Sequence, residues 1–205
     1  MGKFLKISLI ILGFLLLGLF LHFELFYKLP FANKLQDNAV LSINTRRGIA
    51  TVYLDGVDKG ETPLTIPNLP EGGHTVELEK VSENSEIYPK QNFYVELYPN
   101  TEAVIDVEIA PDSFKSGHIL YYSPLAGRAG QEGAISIRGD LPNYNVKIGG
   151  MEIEKSELSS YKLEPKEYDI VVSAKGFEPL EFPAIVREGY DLNIRIYLLP
   201  IPMDF

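Results

Sequence analysis

The sequence predicts an all-β protein: two small antiparallel β-sandwich domains in tandem, preceded by one transmembrane helix. Three observations carry that expectation. Period-2 alternation of apolar and polar residues recurs in short runs bounded by Gly, Pro and Asn. An internal repeat keeps that alternation in phase at a fixed offset. One long uncharged run stands at the N-terminus, and no later stretch has the length and 3.6 period of a substantial helix.

From Ile7 to Phe23 there is no charged residue. With Phe4, Leu5, Leu25 and Phe26 the stretch approaches the ~20 residues that span a bilayer core. A cleavable signal peptide has an apolar region of about 7–15 residues followed by small residues; here the run is longer and leads into His22, Phe23, Glu24, Leu25, Phe26 and Tyr27. Residues 1–30 are therefore expected to form an uncleaved signal anchor. Lys3 and Lys6 precede the run, so the positive-inside rule keeps that end cytoplasmic and places the rest of the chain outside. Gly13 and Gly18 are spaced wrongly for a close-packed helix dimer, and His22 reads as an interfacial residue.

Residues 31–39 read as a polar spacer, and the first β unit spans 40–110. Val40 to Asn44 sets Leu41 and Ile43 against Ser42 and Asn44, and after Arg46-Arg47-Gly48 comes the strand Ala50 to Leu54. Thr51 to Ile66, TVYLDGVDKGETPLTI, reads as a hairpin: Asp55-Gly56 supplies the positive φ angles of a tight turn, while Gly60 and Pro63 interrupt the next run. Gly72-Gly73 lets the chain reverse before Thr75 to Glu79. Phe93 to Leu97 is the next strand, and Ala103 to Ile109 closes the unit with Ala103, Ile105, Val107 and Ile109 on one side.

Residues 111–133, rich in Gly, Ser and Pro, read as a linker in which His118 to Tyr122 can pair as an edge strand. Paired Tyr121 and Tyr122 are expected to alternate between faces. The second unit, 134–199, repeats the first at an offset of 94: Gly56 matches Gly150, Leu69 Leu163, His74 Tyr168, Val76 Ile170 and Leu78 Val172. Ala134 to Arg138, Val146 to Gly150 and Leu192 to Leu198 supply its opening strand, its hairpin and its closing strand. The tail, 200–205, looks extended and suited to joining a neighbour's sheet edge.

Composition excludes several classes. There is no cysteine, which removes disulfides, thiolate metal sites, a cysteine nucleophile and lipidation through cysteine. The net charge is −9, and setting aside Lys3, Lys6, Lys28 and Glu24 leaves 16 basic against 27 acidic residues. So acidic a body repels phosphate backbones, and no nucleic-acid partner is expected. The histidines are His22, His74 and His118; none stands at metal-ligand spacing from another, and His74 reads as a strand-edge residue. No catalytic, cofactor-binding or metal-binding residue set emerges, so a non-enzyme without a cofactor is expected. Asp55, Asp58 and Glu61 cluster at the first turn without the spacing of a calcium loop, and whether they bind an ion stays open. Arg138-Gly139-Asp140 spells an adhesion tripeptide, a match short enough to arise by chance.

Ser42-Ile43-Asn44-Thr45, Gly48, Ala50, the VYLDG of 52–56, the KGETPLTI of 59–66, Leu69-Pro70 and Gly72 to Val76 together resemble the PEGA domain, over residues 40 to 109. Arg46-Arg47-Gly48-Ile49-Ala50 stands where the name-giving Pro-Glu-Gly-Ala belongs, keeping its glycine and alanine. The second unit resembles a diverged copy: Lys175 to Pro179 is similar to the family's glycine-aromatic segment, but the GETPL stretch is lost. The resemblance implies an extracytoplasmic β-sandwich of envelope or surface-layer proteins with no catalytic residues to carry over. The expected role is a non-enzymatic, membrane-anchored envelope protein that displays the two domains outside the membrane for a structural role or for interaction with protein or the surface layer. The alternative is a carbohydrate- or peptidoglycan-binding module that targets a partner; the absence of tryptophan weighs against it, and 12 tyrosines keep it available.

Overall fold

A computed structural model describes residues 38–125 and 132–202. The anchor expected over 1–30 and nearly all of the spacer lie outside the described residues. Among those described, no helix is long and apolar enough to cross a membrane, and the helical content is three single-turn 3-10 segments. The rest is strand and turn, as period-2 patterning requires.

The first repeat runs β1 (Ala39–Thr45), β2 (Ala50–Leu54), β3 (Val57–Glu61), β4 (Leu64–Leu69), β5 (Gly72–Lys80), β6 (Gln91–Leu97) and β7 (Glu102–Ile109). The hairpin of β2 and β3 turns where expected, with φ of 52° at Asp55 and 79° at Gly56. Strands β3-β2-β5-β6 make one four-stranded sheet. After β8 (Lys115–Pro124) the second repeat runs β9 (Gly133–Gly139), β10 (Asn145–Ile148), β11 (Met151–Ile153), β12 (Tyr161–Leu163), β13 (Glu167–Ser173), β14 (Leu180–Ile185) and β15 (Tyr190–Tyr197). Its own four-stranded sheet has the order β11-β10-β13-β14, the counterpart of the first.

Two expectations are corrected. The sheets are not purely antiparallel, because β1 pairs parallel with β7 and β9 parallel with β15. In each repeat the chain leaves the opening strand, builds the facing sheet, and re-enters beside that strand from the same end. The stretch expected as a linker with an edge strand instead holds the central strand of the molecule. β8 pairs antiparallel with β7 on one side and with β15 on the other, and joins both repeats into one seven-stranded sheet, β12-β9-β15-β8-β7-β1-β4. Gly117, one of the glycines that suggested a linker, reflects crowding: a Cβ there would collide with the Asp106 carbonyl oxygen across the ladder.

Across this sheet, strand order and direction are palindromic about β8. An approximate two-fold axis therefore lies along β8, and such a rotation turns the sheet over, so the two four-stranded sheets cover opposite faces. The side chains of β8 agree. Ile119 lies in the core of the first repeat, whereas Leu120 and Tyr122 lie in that of the second. Each such burial contributes about 2 kcal/mol. The cores also exchange residues: Tyr197 of β15 enters the first, edge-on to Phe93 at 5.9 Å, and Val104 of β7 packs against the second. Of the tail expected to join a neighbour's sheet edge, 200–202 lie among the described residues; there Ile201 N–H donates to Gly176 O of its own chain, and just before it Glu178 N–H donates to Leu199 O, both at 2.9 Å.

Candidate functional site

Because the long sheet continues past the first repeat's four-stranded sheet, the outer faces of β8, β15 and β9 form the floor of a groove beside β6. Its volume is about 390 Å³, and its lining includes Tyr94, Tyr121, Arg138, Asp140, Asn193 and Arg195. Register orders the floor into two rows. Ser136, Asn193 and Tyr121 are paired across β9, β15 and β8, and so are Arg138, Arg195 and Ile119. Tyr94 forms the wall from β6 and is 58% exposed. It lies across Gly73, where an added Cβ would collide with its hydroxyl oxygen, so the absence of a side chain at Gly73 gives the ring its place. A smaller depression of about 150 Å³ is lined by Phe114, Lys115, Asp140, Leu141 and Tyr197.

The groove's carboxylates are held. Arg195 Nη2 donates to Asp140 Oδ1 at 3.0 Å. Asp191 is buried behind Ser136; its Oδ2 accepts from Ser136 Oγ at 2.9 Å and from Ser160 Oγ at 2.7 Å, while Ser160 N–H donates to Ser136 Oγ at 2.8 Å. Asp191 Oδ1 has no partner among the described residues. Arg138 is exposed and forms no ion pair among the described residues. Burial, with help from nearby Glu96, pushes the Tyr121 phenol above its ordinary pKa, so it stays a neutral donor.

The two-fold relation gives this floor a counterpart on the other face, where β1 and β7 replace β9 and β15. There Ser42 Oγ donates to Glu102 Oε1 at 2.7 Å, the match of Ser136 with Asp191. Arg46 pairs with Asp106 at 3.3 Å, the match of Asp140 with Arg195 with the charges exchanged. The counterpart is closed by His118, whose ring stacks on Phe182 at 3.9 Å and 11°. Burial lowers the His118 pKa to about 4 against the pull of Asp106, so the ring is neutral at pH 7, and its Nδ1 has no partner among the described residues.

Of the residues singled out in the sequence, Tyr121 and Tyr122 do alternate: Tyr121 lines the groove, while Tyr122 is buried and donates to Ile185 O at 2.6 Å. Arg138, Gly139 and Asp140 all line the groove, but the tie to Arg195 keeps Asp140 from standing out as an adhesion loop. Asp55 serves its own turn, its oxygens meeting Thr75 N–H at 2.9 Å and His74 Nδ1 at 2.7 Å. Although burial opposes it, these bonds hold the Asp55 carboxyl below its ordinary pKa. Asp58 accepts from Gly60 N–H at 2.8 Å, and Glu61 is exposed. Among the described residues no group of three or more His, Asp or Glu could hold a metal. His74, expected at a strand edge, is buried within β5, with Nε2 3.1 Å from Pro70 O.

Tyr94, Asn193 and Arg195 were not expected as site residues. They are the polar alternates of strands recognised by their apolar alternates, and only the strand order brings them together.

No curated protein matches the chain. Residues 38–112, which hold the first repeat, match the family model of the PEGA domain, the family that its hairpin and glycine pattern resemble.

Proposed function

We propose that this chain is a non-enzymatic, membrane-anchored envelope protein that holds its two β-sandwich repeats outside the membrane as one rigid binding unit. The observation that carries the reading is the continuous seven-stranded sheet with a polar, solvent-open groove where the repeats meet. A flexible tether between repeats would let each orient separately; pairing along all of β8 prevents this. Both repeats begin their first strand at the same end of the sheet, so an anchor before residue 38 holds the whole unit by that end. The PEGA match and the uncharged run from Ile7 to Phe23 support display on an envelope. The non-enzymatic reading rests on the groove's carboxylates: Asp140 is tied to Arg195 and Asp191 is sealed by two serines, which leaves neither poised as a general base.

Treating intact cells with an external protease tests this reading. An epitope after residue 202 should be lost and one before Lys3 protected. Protection of the C-terminal epitope until the membrane is permeabilised would refute extracytoplasmic display.

A second reading, that the unit binds glycan, is favoured by Tyr94 and Tyr121 beside donors and acceptors of mixed type.

A further inference from the structure

We propose that the groove between the repeats binds an acidic saccharide, with Arg138 taking the sugar carboxylate and Tyr94 and Tyr121 taking the faces of the ring. This rests on the glycan-binding reading and specifies its ligand.

The charge of the floor calls for an anion. Arg138 and Arg195 lie directly opposite one another on adjacent parallel strands. Like charges so placed weaken a sheet, and among the described residues only one carboxylate, Asp140, pairs with either of them. Asp191 is committed to Ser136 and Ser160, and Glu96, near Tyr121 and Tyr98, does not line the groove. One planar guanidinium is thus left open to solvent in a protein whose net charge is −9. A guanidinium fork presents two parallel N–H donors and matches a carboxylate.

The shape of the groove suits a sugar ring. At about 390 Å³ it falls in the range of small-ligand sites, at the lower end. Tyr94 offers an exposed ring on the wall and Tyr121 a partly buried one on the floor, giving apolar faces with a polar tip. Asn193 spends its amide N–H groups on Ser123 Oγ at 2.8 Å and the Asp191 carbonyl at 3.1 Å. Among the described residues its amide oxygen has no hydrogen-bond donor, which leaves it to accept from a hydroxyl. Ring faces, one cation and hydroxyl partners together fit a uronic-acid-type sugar better than a peptide, because the floor is the face of a sheet, which presents side chains and not the backbone groups that strand addition needs.

The counterpart floor differs at each of these points. There Asn44 occupies the position of Arg138, Asp106 that of Arg195, and the stack of His118 on Phe182 covers the face. The cationic groove belongs to the second repeat's floor alone.

The test is equilibrium binding of the full chain, in detergent micelles, to a disaccharide containing glucuronic acid and to the same disaccharide with its carboxyl reduced to an alcohol. The acidic form should bind, and carboxyl reduction or Arg138→Gln should each weaken it by about tenfold or more. Tyr94→Ala should weaken both sugars alike. Asp140→Asn, which releases Arg195, should tighten the acidic sugar. Equal binding of acidic and neutral sugars, or an unchanged affinity in Arg138→Gln, would overturn the proposal. So would failure of either sugar to bind while a peptide with a free C-terminal carboxylate binds and its amidated form does not; that result would assign the groove to a protein partner and leave the display reading intact. Protection from external protease, by contrast, refutes display without touching the groove.

Discussion

The two repeats share a backbone and solve its local problems with different chemistry. At the hairpin turn, Asp55 N–H donates to Thr75 O and Gly149 N–H to Asp169 O, both at 2.9 Å. In the first repeat the Asp55 carboxylate clasps His74, which reaches Pro70 O at 3.1 Å. In the second, Gly149 leaves room for the Tyr168 ring, whose hydroxyl donates to Glu164 O, also at 3.1 Å. At the end of the opening strand an Arg46–Asp106 pair becomes Asp140–Arg195. The backbone bond and the buried apolar side chain stay constant; the polar partner varies, provided that it is satisfied. The second repeat carries Arg138 where the first has Asn44, and both positions are exposed, outside the cores whose character the repeats share.

The largest effect expected from breaking this comparison is at β8, the strand both repeats share. Leu120→Ala should destabilise the chain by about 3 kcal/mol through the second core, and Ile119→Ala by a similar amount through the first. Urea unfolding followed by far-UV circular dichroism should show one transition in both variants, since each repeat needs β8 in its sheet. Two separated transitions, with only one repeat affected by each variant, would show that the shared sheet does not couple them.

A somewhat smaller effect is expected from pH. The buried His118 ring has its pKa lowered from 6.5 to about 4. The unfolded chain therefore binds more protons than the folded one between those values, and stability falls as pH drops through that window. The loss by pH 4.5 is about 2 kcal/mol, and His118→Phe should remove most of that slope while keeping a ring on Phe182. Denaturation midpoints at pH 7 and pH 4.5 measure it; an unaltered slope in His118→Phe would assign the acid sensitivity to other groups.

The smallest effect concerns the exchanged ion pair. Arg46→Asp or Asp106→Arg alone should cost about 0.5–1 kcal/mol, and the double variant, which copies the second repeat's arrangement, should recover most of it. A double variant no better than the sum of the singles would mean that the two floors do not tolerate the same swap. The more exposed Asp140–Arg195 pair should respond less, so that Asp140→Asn reports on ligand affinity with little change in stability.

Much of the fold was legible in residues because strands with one buried face alternate with period 2. Leu41 and Ile43, Val76 and Leu78, and Ala103 through Ile109 are all buried on the side the pattern assigns. The hairpin at Asp55-Gly56 was legible because positive φ favours few residue types. The offset of 94 exposed the second copy because core positions keep their character while surfaces drift.

Other features were decided by long-range packing. β8 is buried on both faces, so its HILYY run has no alternation to reveal it, and the glycine that closeness to β7 demands made the segment look like a linker. Parallel pairing of β1 with β7 depends on which end the chain re-enters, which no local pattern encodes. The groove is further still from the sequence. Tyr94, Tyr121, Arg138 and Arg195 sit on four strands, as ordinary polar or aromatic alternates in each. By itself the sequence determined two all-β repeats, the phase of each strand and a tight Asp-Gly turn, because these arise from local sterics and burial. Only the tertiary structure decided that the repeats share one sheet and that two arginines face each other across it, because strand order is set by which edges find partners, and that choice is made between residues far apart in the chain.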